Sequence, residues 1–180
     1  MATNTYVPIE TKILGSNTHS VTFSNIPQTY TDLILVFNGS ITVYNYIQVQ
    51  VGNGSIDTGA NYSGTIVGGN GSSAFSYNYT NNNYAQTLGW AIGFLNNNNG
   101  ILHFQNYSNT TTYKTILDRD NSPSYGSSAS VHLWRSTAAI NIITLTGVTG
   151  STDIAAGSTF TLYGIANADT GALATGGVIT

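Results

Sequence analysis

The chain has 180 residues, of which 6% are charged and 41% are hydrophobic, and its formal net charge is -3. Ordinary globular domains are about one quarter charged, so the solubility of this chain depends on neutral polar side chains. Four Lys and Arg residues cannot form a basic surface for a phosphate backbone, which argues against a nucleic-acid partner. The absence of cysteine excludes disulfides and thiolate metal sites.

The length and the residue pattern predict one all-β domain. We expect a polar N-terminal arm over residues 1–11, a β-sandwich over residues 12–166 and a small-residue C-terminal tail over residues 167–180. The first residues lack the basic and apolar segments of a signal peptide, and no run approaches the roughly 18 apolar residues of a membrane span. We therefore expect a soluble protein that is made in a cytoplasm and has no membrane partner.

The first predicted strands alternate with period two. Val21 and Phe23 share one strand face, and the unbroken apolar run over residues 33–37 predicts a central strand that is covered on both faces. The next strand is predicted to direct Val43, Ile47, Val49 and Val51 to the core, and Tyr44, Tyr46, Gln48 and Gln50 outward. The outward set is amphipathic rather than charged.

Turn-rich sequence separates the later strands. Residues 52–84 are expected to form an elaborated loop region with short strands at 65–67 and 74–79. Further strands are predicted at residues 88–94, 101–107, 113–117, 131–134, 140–146 and 160–165. About eight to ten short strands bounded by Gly, Asn, Ser and Asp predict an antiparallel β-sandwich of jelly-roll type.

The acid and base side chains do not form a recognisable catalytic pattern. The carboxylates of Glu10, Asp32, Asp57 and Asp153 fall at predicted turns, strand starts or the N-terminal arm, where capping is the ordinary role. The sequence contains no G-x-S-x-G nucleophile elbow. We therefore expect no enzymatic activity and no cofactor.

Two groups of residues are of the types that bind metal ions, a short acidic segment and the three histidines. A hand-type calcium loop starting at Asp118 would need Gly and Glu where Pro123 and Ala129 stand, so residues 118–121 are interpreted as a loop with a local Asp–Arg pair. The three histidines are predicted on separate strands with ordinary hydrogen bonds rather than around zinc: His19, His103 and His132. We therefore expect no metal.

Tyrosines interleaved with asparagines are the candidate partner-binding residues. Tyr77, Tyr79 and Tyr84 alternate with Asn, a combination of rigid amphipathic rings and adaptable amides that is typical of binding surfaces. Tyr44 and Tyr46 extend the set. The pattern leaves three alternatives open: a protein partner, a sugar, or a surface hairpin without a partner. By contrast, Trp90 and Trp134 lie in alternating apolar strands and are predicted to pack in the core.

An ordered set of segments resembles a family of small virion structural proteins of tailed phages, frequent in phages of aquatic bacteria including cyanobacteria. The matching segments are residues 20–33, 113–115, 134–141, 143–145 and 160–165. The similarity covers roughly residues 10–37 and 101–165. The resemblance implies a jelly-roll building block on the particle and supplies no catalytic residues.

The resemblance further implies a capsid decoration, or cement, protein. Its expected partners are the major capsid protein and two further copies in a homotrimer. Its expected location is the outer capsid surface of the virion, after synthesis in the cytoplasm of the bacterial host. The alternative is a tail fibre, spike or other tail-associated adhesin that binds host surface polysaccharide. A fibre normally needs an attachment segment and a stalk, whereas this chain is expected to form one compact unit, which favours the cement role.

Overall fold

The computed structural model describes residues 5–87, 98–122 and 126–166, and these ranges contain strands and no helix. The strands are β1 (Tyr6–Ile13), β2 (Ser20–Phe23), β3 (Asp32–Gly39), β4 (Ile47–Asn53), β5 (Ser55–Ile56), β6 (Tyr62–Gly69), β7 (Ala74–Asn82), β8 (Ala85–Thr87), β9 (Asn98–Gln105), β10 (Lys114–Ser122), β11 (Gly126–Trp134), β12 (Ile142–Gly147) and β13 (Thr159–Ile165). The all-β prediction is confirmed.

The strands form two antiparallel sheets. One has eight strands in the order β1-β13-β3-β9-β10-β11-β6-β7, and the other has five, in the order β2-β12-β4-β5 with β8 paired to β4. Many hydrogen-bonded strands within each sheet are distant in sequence, so long crossover connections as well as hairpins link them. The predicted antiparallel, single-domain β-sandwich is confirmed.

The core lies between the two sheets because each strand directs alternate side chains inward. On the eight-stranded sheet, Phe37 and Phe160 are fully buried, with ring centroids 4.7 Å apart. The main inward residues of both sheets form one hydrophobic cluster: Val21, Phe23, Leu33, Leu35, Phe37, Val49, Val51, Leu102, Phe104, Ile143, Leu145, Phe160 and Leu162.

Polar side chains at the end of this core join the two sheets. The buried hydroxyl of Tyr62, on β6, donates to the carbonyl of Val51 on β4 at 3.1 Å and accepts the N–H of the same residue at 3.0 Å. Burial raises the pKa of the Tyr62 phenol, so the group stays neutral. Trp134 is also buried, as predicted, and its indole donates to Asp57 at 2.7 Å.

The carboxylate of Asp57 organises the turn between β5 and β6. Burial alone would raise its pKa, but hydrogen bonds from Trp134, Asn61 and the Gly59 N–H outweigh burial, and the pKa is lowered. The predicted turn-capping role of Asp57 is confirmed, with an additional bond to the core indole.

Several strand predictions were wrong in detail. Residues 52–84, expected to form an elaborated loop region with short strands at 65–67 and 74–79, contain the longer strands β6 and β7. The run over residues 33–37 is central, but only alternate residues are buried, and Ile34 and Val36 remain half-buried on the outward face of the sheet. The strand expected to include Val43 begins at Ile47, and the Val43 side chain is exposed. Periodicity identified the strands but did not show whether this chain covers both of their faces.

The ends of the predicted domain also differ from the structure. Tyr6–Ile13 form β1, which pairs with β13 at one edge of the eight-stranded sheet, so the predicted arm over residues 1–11 belongs to the sheet from Tyr6 onward. The predicted strand at 88–94, which includes Trp90, and the predicted tail over 167–180 lie outside the described residues.

Candidate functional site

The predicted tyrosine site is divided by the fold. Tyr46 and Tyr84 are half-buried, and their hydroxyls lie 3.2 Å apart beside β4 and β8. Tyr44, two residues before Tyr46, is exposed. Next to them, the Gln50 amide donates to the carbonyl of Asn83 at 2.8 Å. These residues make a neutral surface of rings and amides, which we call the tyrosine surface: Tyr44, Tyr46, Gln50, Asn83 and Tyr84.

Tyr79 does not belong to that surface. It is buried on the inward side of β7, and its hydroxyl lies 2.8 Å from His132 Nδ1 and accepts the N–H of Gln86 at 3.1 Å. Gly64 makes room for this pair, because a Cβ at that position would lie 2.4 Å from the imidazole. Tyr77 is 41% exposed on β7, opposite Ile66. The interpretation of Tyr79 as a binding residue was therefore wrong.

The three histidines lie apart, as predicted. His132 is fully buried, and burial lowers its pKa to about 3, so the ring is neutral near pH 7. His103 Nε2 lies 2.7 Å from Asp32 Oδ2, and His19 Nδ1 lies 3.0 Å from the carbonyl of Thr152. Within the described ranges, no group of three or more His, Asp or Glu side chains is placed to hold a metal ion.

Residues 118–121 form part of strand β10, so their prediction as a loop was wrong. Asp118 and Asp120 face inward and are buried, and they accept hydrogen bonds from Ser130 and Ser128 on β11. Arg119 points to the opposite, outward face and is exposed. Strand alternation therefore separates the Asp and Arg side chains that the sequence placed side by side.

The feature that sequence reasoning missed is the outward face of the eight-stranded sheet. The pairing registers place two adjacent rows of residues straight across β6, β11, β10, β9 and β3. The first row is Val67, Ala129, Arg119, Ile101 and Val36, and the second is Thr65, Val131, Leu117, His103 and Ile34. We call these two rows the apolar band, since most of their side chains are aliphatic.

The apolar band is accessible and indented. Val67 is 50% exposed and Val131 is 53% exposed. Two adjoining depressions of about 570 and 510 Å³ lie on this face, and both are lined by Val67, Ile101 and Arg119. The band runs perpendicular to the strands over five of them, or about 20 Å between the outermost strands. Such a surface offers apolar contact area and one cationic group.

The sequence contained a signal for this surface. The unbroken apolar run at residues 33–37 is typical of strands buried on both faces, and the structure places Ile34 and Val36 of that run on the apolar band. The remaining band residues come from strands distant in sequence, so their alignment in two rows depends on the pairing register.

Comparisons with known proteins add no relative: no family model matches the chain, and the search of curated proteins found no match. The described residues also contain no helix that is long and apolar enough to cross a membrane. The candidate functional features of the described residues are therefore the tyrosine surface and the apolar band.

Proposed function

We propose that the protein is a non-enzymatic structural component of a tailed-phage particle, specifically a capsid decoration (cement) protein on the outer surface of the head. The observation that carries this proposal is the apolar band, a contiguous aliphatic surface exposed on a sheet of a chain that has few charges. Apolar patches of this kind mark interaction sites in soluble proteins. The ordered sequence resemblance to virion structural proteins gives the setting.

Assembly through neutral contacts suits both surfaces of the molecule. Interface cores are depleted in charge and enriched in aromatic residues relative to other protein surface. In the proposed arrangement, the apolar band supports contacts between subunits, which we expect to form a homotrimer. The tyrosine surface, with Tyr44 exposed beside the Tyr46–Tyr84 pair, meets the major capsid protein. Each trimer would then bridge neighbouring capsid subunits and oppose the pressure of packaged DNA.

Particle localisation tests this proposal directly. An asymmetric reconstruction of the phage particle should show the sandwich at regular positions on the head surface, and particles lacking the protein should release DNA at lower temperature. Density confined to the tail would contradict the cement role. Unchanged DNA retention by the deleted particles under heat and chelator stress would also contradict it.

A residue-level test uses the tyrosine surface. Tyr44→Ala should lower the occupancy of the protein on deleted particles that are supplied with purified protein, because its exposed ring is removed without disturbing the core. Tyr113→Ala is a matched control, since Tyr113 is similarly exposed but lies outside the tyrosine surface. Equal occupancy for both variants would show that the tyrosine surface does not meet the capsid.

The second candidate is a tail-associated adhesin that binds host surface polysaccharide. The specific observation in its favour is again the tyrosine surface, because aromatic rings beside neutral amides provide stacking and hydrogen bonding for a sugar. In this case purified protein should bind host cells or their polysaccharide, and Tyr44→Ala should reduce that binding. Normal attachment by particles that lack the protein would argue against the adhesin role.

A further inference from the structure

We propose that a second copy of this chain covers the apolar band, with strand β1 of one copy lying over the band of the other and its Ile13 side chain entering the depressions beside Val67 and Val131. Tyr6, about 20 Å from Ile13 along β1, then contacts the surface outside the depressions. This inference identifies the surfaces through which the proposed particle component associates with itself, and it rests on the proposed function for its biological setting. The contact itself is testable on purified protein.

The first argument is the apolar character of both faces of the central strands. On β3, Leu33 and Leu35 face the core while Ile34 and Val36 face outward. A strand that is apolar on both faces is typical of a sheet covered on both sides. Within the described residues, the five-stranded sheet covers one side of the eight-stranded sheet, so the other side is expected to be covered in an assembly.

The second argument is a pair of protruding apolar side chains on the same outward face. Tyr6 and Ile13 lie on edge strand β1 and are 56% and 71% exposed. Their register partners on β13 are Ile165 and Thr159, which belong to the outward side of that strand. The Tyr6 ring is held edge-on against Tyr163, with centroids 6.3 Å apart, so it is pre-positioned for a contact.

The third argument is complementarity between distant parts of that face. The protruding side chains lie on β1, at one edge, whereas the depressions lie over β6, β11, β10 and β9, toward the other edge. Because these features lie toward opposite edges of one sheet, the protruding side chains cannot reach the depressions of their own chain. Ile13 can contact the depressions of a second copy. Made twice about a two-fold axis this contact gives a closed dimer, and repeated about a higher rotation axis that closes it gives a ring.

The fourth argument combines area and charge. Eight strands of about eight residues give roughly 900 Å² of sheet face, close to what each partner contributes to a standard stable interface. The described outward residues of this face include Arg119 and Asp32 as charged groups, and Asp32 is bonded to His103. One cation and one anion leave the face close to neutral, so a second identical face meets little repulsion.

The experiment measures the mass of the purified protein in solution by light scattering over a range of concentrations. We expect the wild type to form a dimer or trimer at micromolar concentration. Val131→Glu, in the apolar band, and Ile13→Glu, on β1, should each weaken association by about tenfold or more, because each places a charge in an apolar contact. Both positions are more than half exposed, so both variants should fold, which circular dichroism verifies.

A matched control and a mixing test make the experiment specific. Thr22→Glu places the same charge on an exposed strand position of the five-stranded sheet and should leave the mass unchanged. A mixture of Val131→Glu and Ile13→Glu proteins retains one intact protrusion and one intact band, so it should form pairs that neither variant forms alone. If Val131→Glu fails to fold, Val67→Glu, at a 50% exposed band position, replaces it.

A wild type that stays monomeric at all concentrations would overturn the inference, and so would band and β1 variants that associate as strongly as the wild type. A mixture without pairs would refute the specific fit of protrusion to depression. These results are independent of particle location: a tail location would contradict the cement role and leave self-association through the band intact.

Discussion

The outward faces of the two sheets are both nearly uncharged, yet they have opposite character. On the five-stranded sheet the outward side chains are hydroxyls and amides, such as Thr22 and Thr144, whose hydroxyls lie 2.9 Å apart, and Gln48 and Gln50. On the eight-stranded sheet the corresponding positions carry the aliphatic side chains of the apolar band. Low charge in the sequence therefore describes two different surfaces, one that offers hydrogen bonds to water or to a polar partner and one that offers aliphatic contact area.

This difference shows why composition alone is an incomplete guide to interaction. Neutral polar side chains such as Thr22 and Thr144 give the five-stranded face hydrogen-bonding groups without charge and less aliphatic area than the other sheet. The aliphatic face gains free energy from any cover that removes it from water, at about 25 cal/mol per Å². The predictions below concern the eight-stranded sheet. They measure how substitution and pH change its unfolding free energy and how salt changes self-association through the apolar band.

The largest expected effect is the difference in unfolding free energy between a substitution on the inward face of β9 and one on its outward face. Leu102→Ala, at a fully buried position of β9, should lower the free energy of unfolding by about 2–5 kcal/mol, because it leaves a cavity in the core. Ile101→Ala, at the adjacent outward position, should cost less than about 1 kcal/mol at protein concentrations where the chain is monomeric. Urea unfolding of both variants measures the two costs.

Protein concentration provides the control for this pair. The cost of Ile101→Ala should rise when unfolding is measured at concentrations that favour association, whereas the cost of Leu102→Ala in the core should change less. Equal costs for the two substitutions in the monomer would mean that the apolar band is already covered by the chain itself.

A smaller effect is expected from pH at His132, which lies inward on β11 next to the outward Val131. Its folded-state pKa of about 3 is below the unfolded value, so between pH 6.5 and pH 3 the unfolded chain binds the proton more readily. Stability is therefore full above pH 6.5 and falls as the solution is acidified. The loss should be about 2 kcal/mol between pH 6.5 and pH 5, a range above most carboxylate titrations.

The measurement is the slope of unfolding free energy against pH for the wild type and for His132→Gln. His132→Gln should reduce the slope in this range. An unchanged slope in His132→Gln would show that the buried ring is not the source of the acid sensitivity.

The smallest expected effect is that of salt on self-association. Because the apolar band contains Arg119 and no Lys, Asp or Glu, the dissociation constant should change less than about threefold between roughly 0.05 and 0.5 M NaCl. Sedimentation or light scattering at several salt concentrations measures this. A tenfold weakening would show that ion pairs, rather than aliphatic contacts, hold the copies together.

Local patterns in the sequence were sufficient to predict much of the fold. Alternation at Val21 and Phe23, together with regular turn residues, predicted antiparallel strands and a sandwich, because side-chain direction in a strand follows from the backbone pleat. The core role of Trp134 followed from the same alternation. The separation of His19, His103 and His132 also followed from their positions on separate segments.

Other features required the pairing of distant strands. The tyrosines at 77, 79 and 84 look equivalent in the sequence, but Gly64 on the intervening strand β6 leaves room for the Tyr79 ring to reach His132 on β11, which buries Tyr79. The segment with Asp118 and Asp120 was predicted to be a loop because charged residues are rare in strands. Hydrogen bonds from serines on the neighbouring strand β11 stabilise the two buried carboxylates within β10.

The sequence by itself determined the secondary-structure class, the neutral character of the surface and the positions of most turns, since these depend on residue type and local periodicity. The tertiary structure decided which neutral residues share a surface. The apolar band draws its side chains from β6, β11, β10, β9 and β3, and the tyrosine surface joins residues near 45 to residues near 84. Strand register sets both alignments, and register depends on pairing across the whole sheet rather than on any single segment.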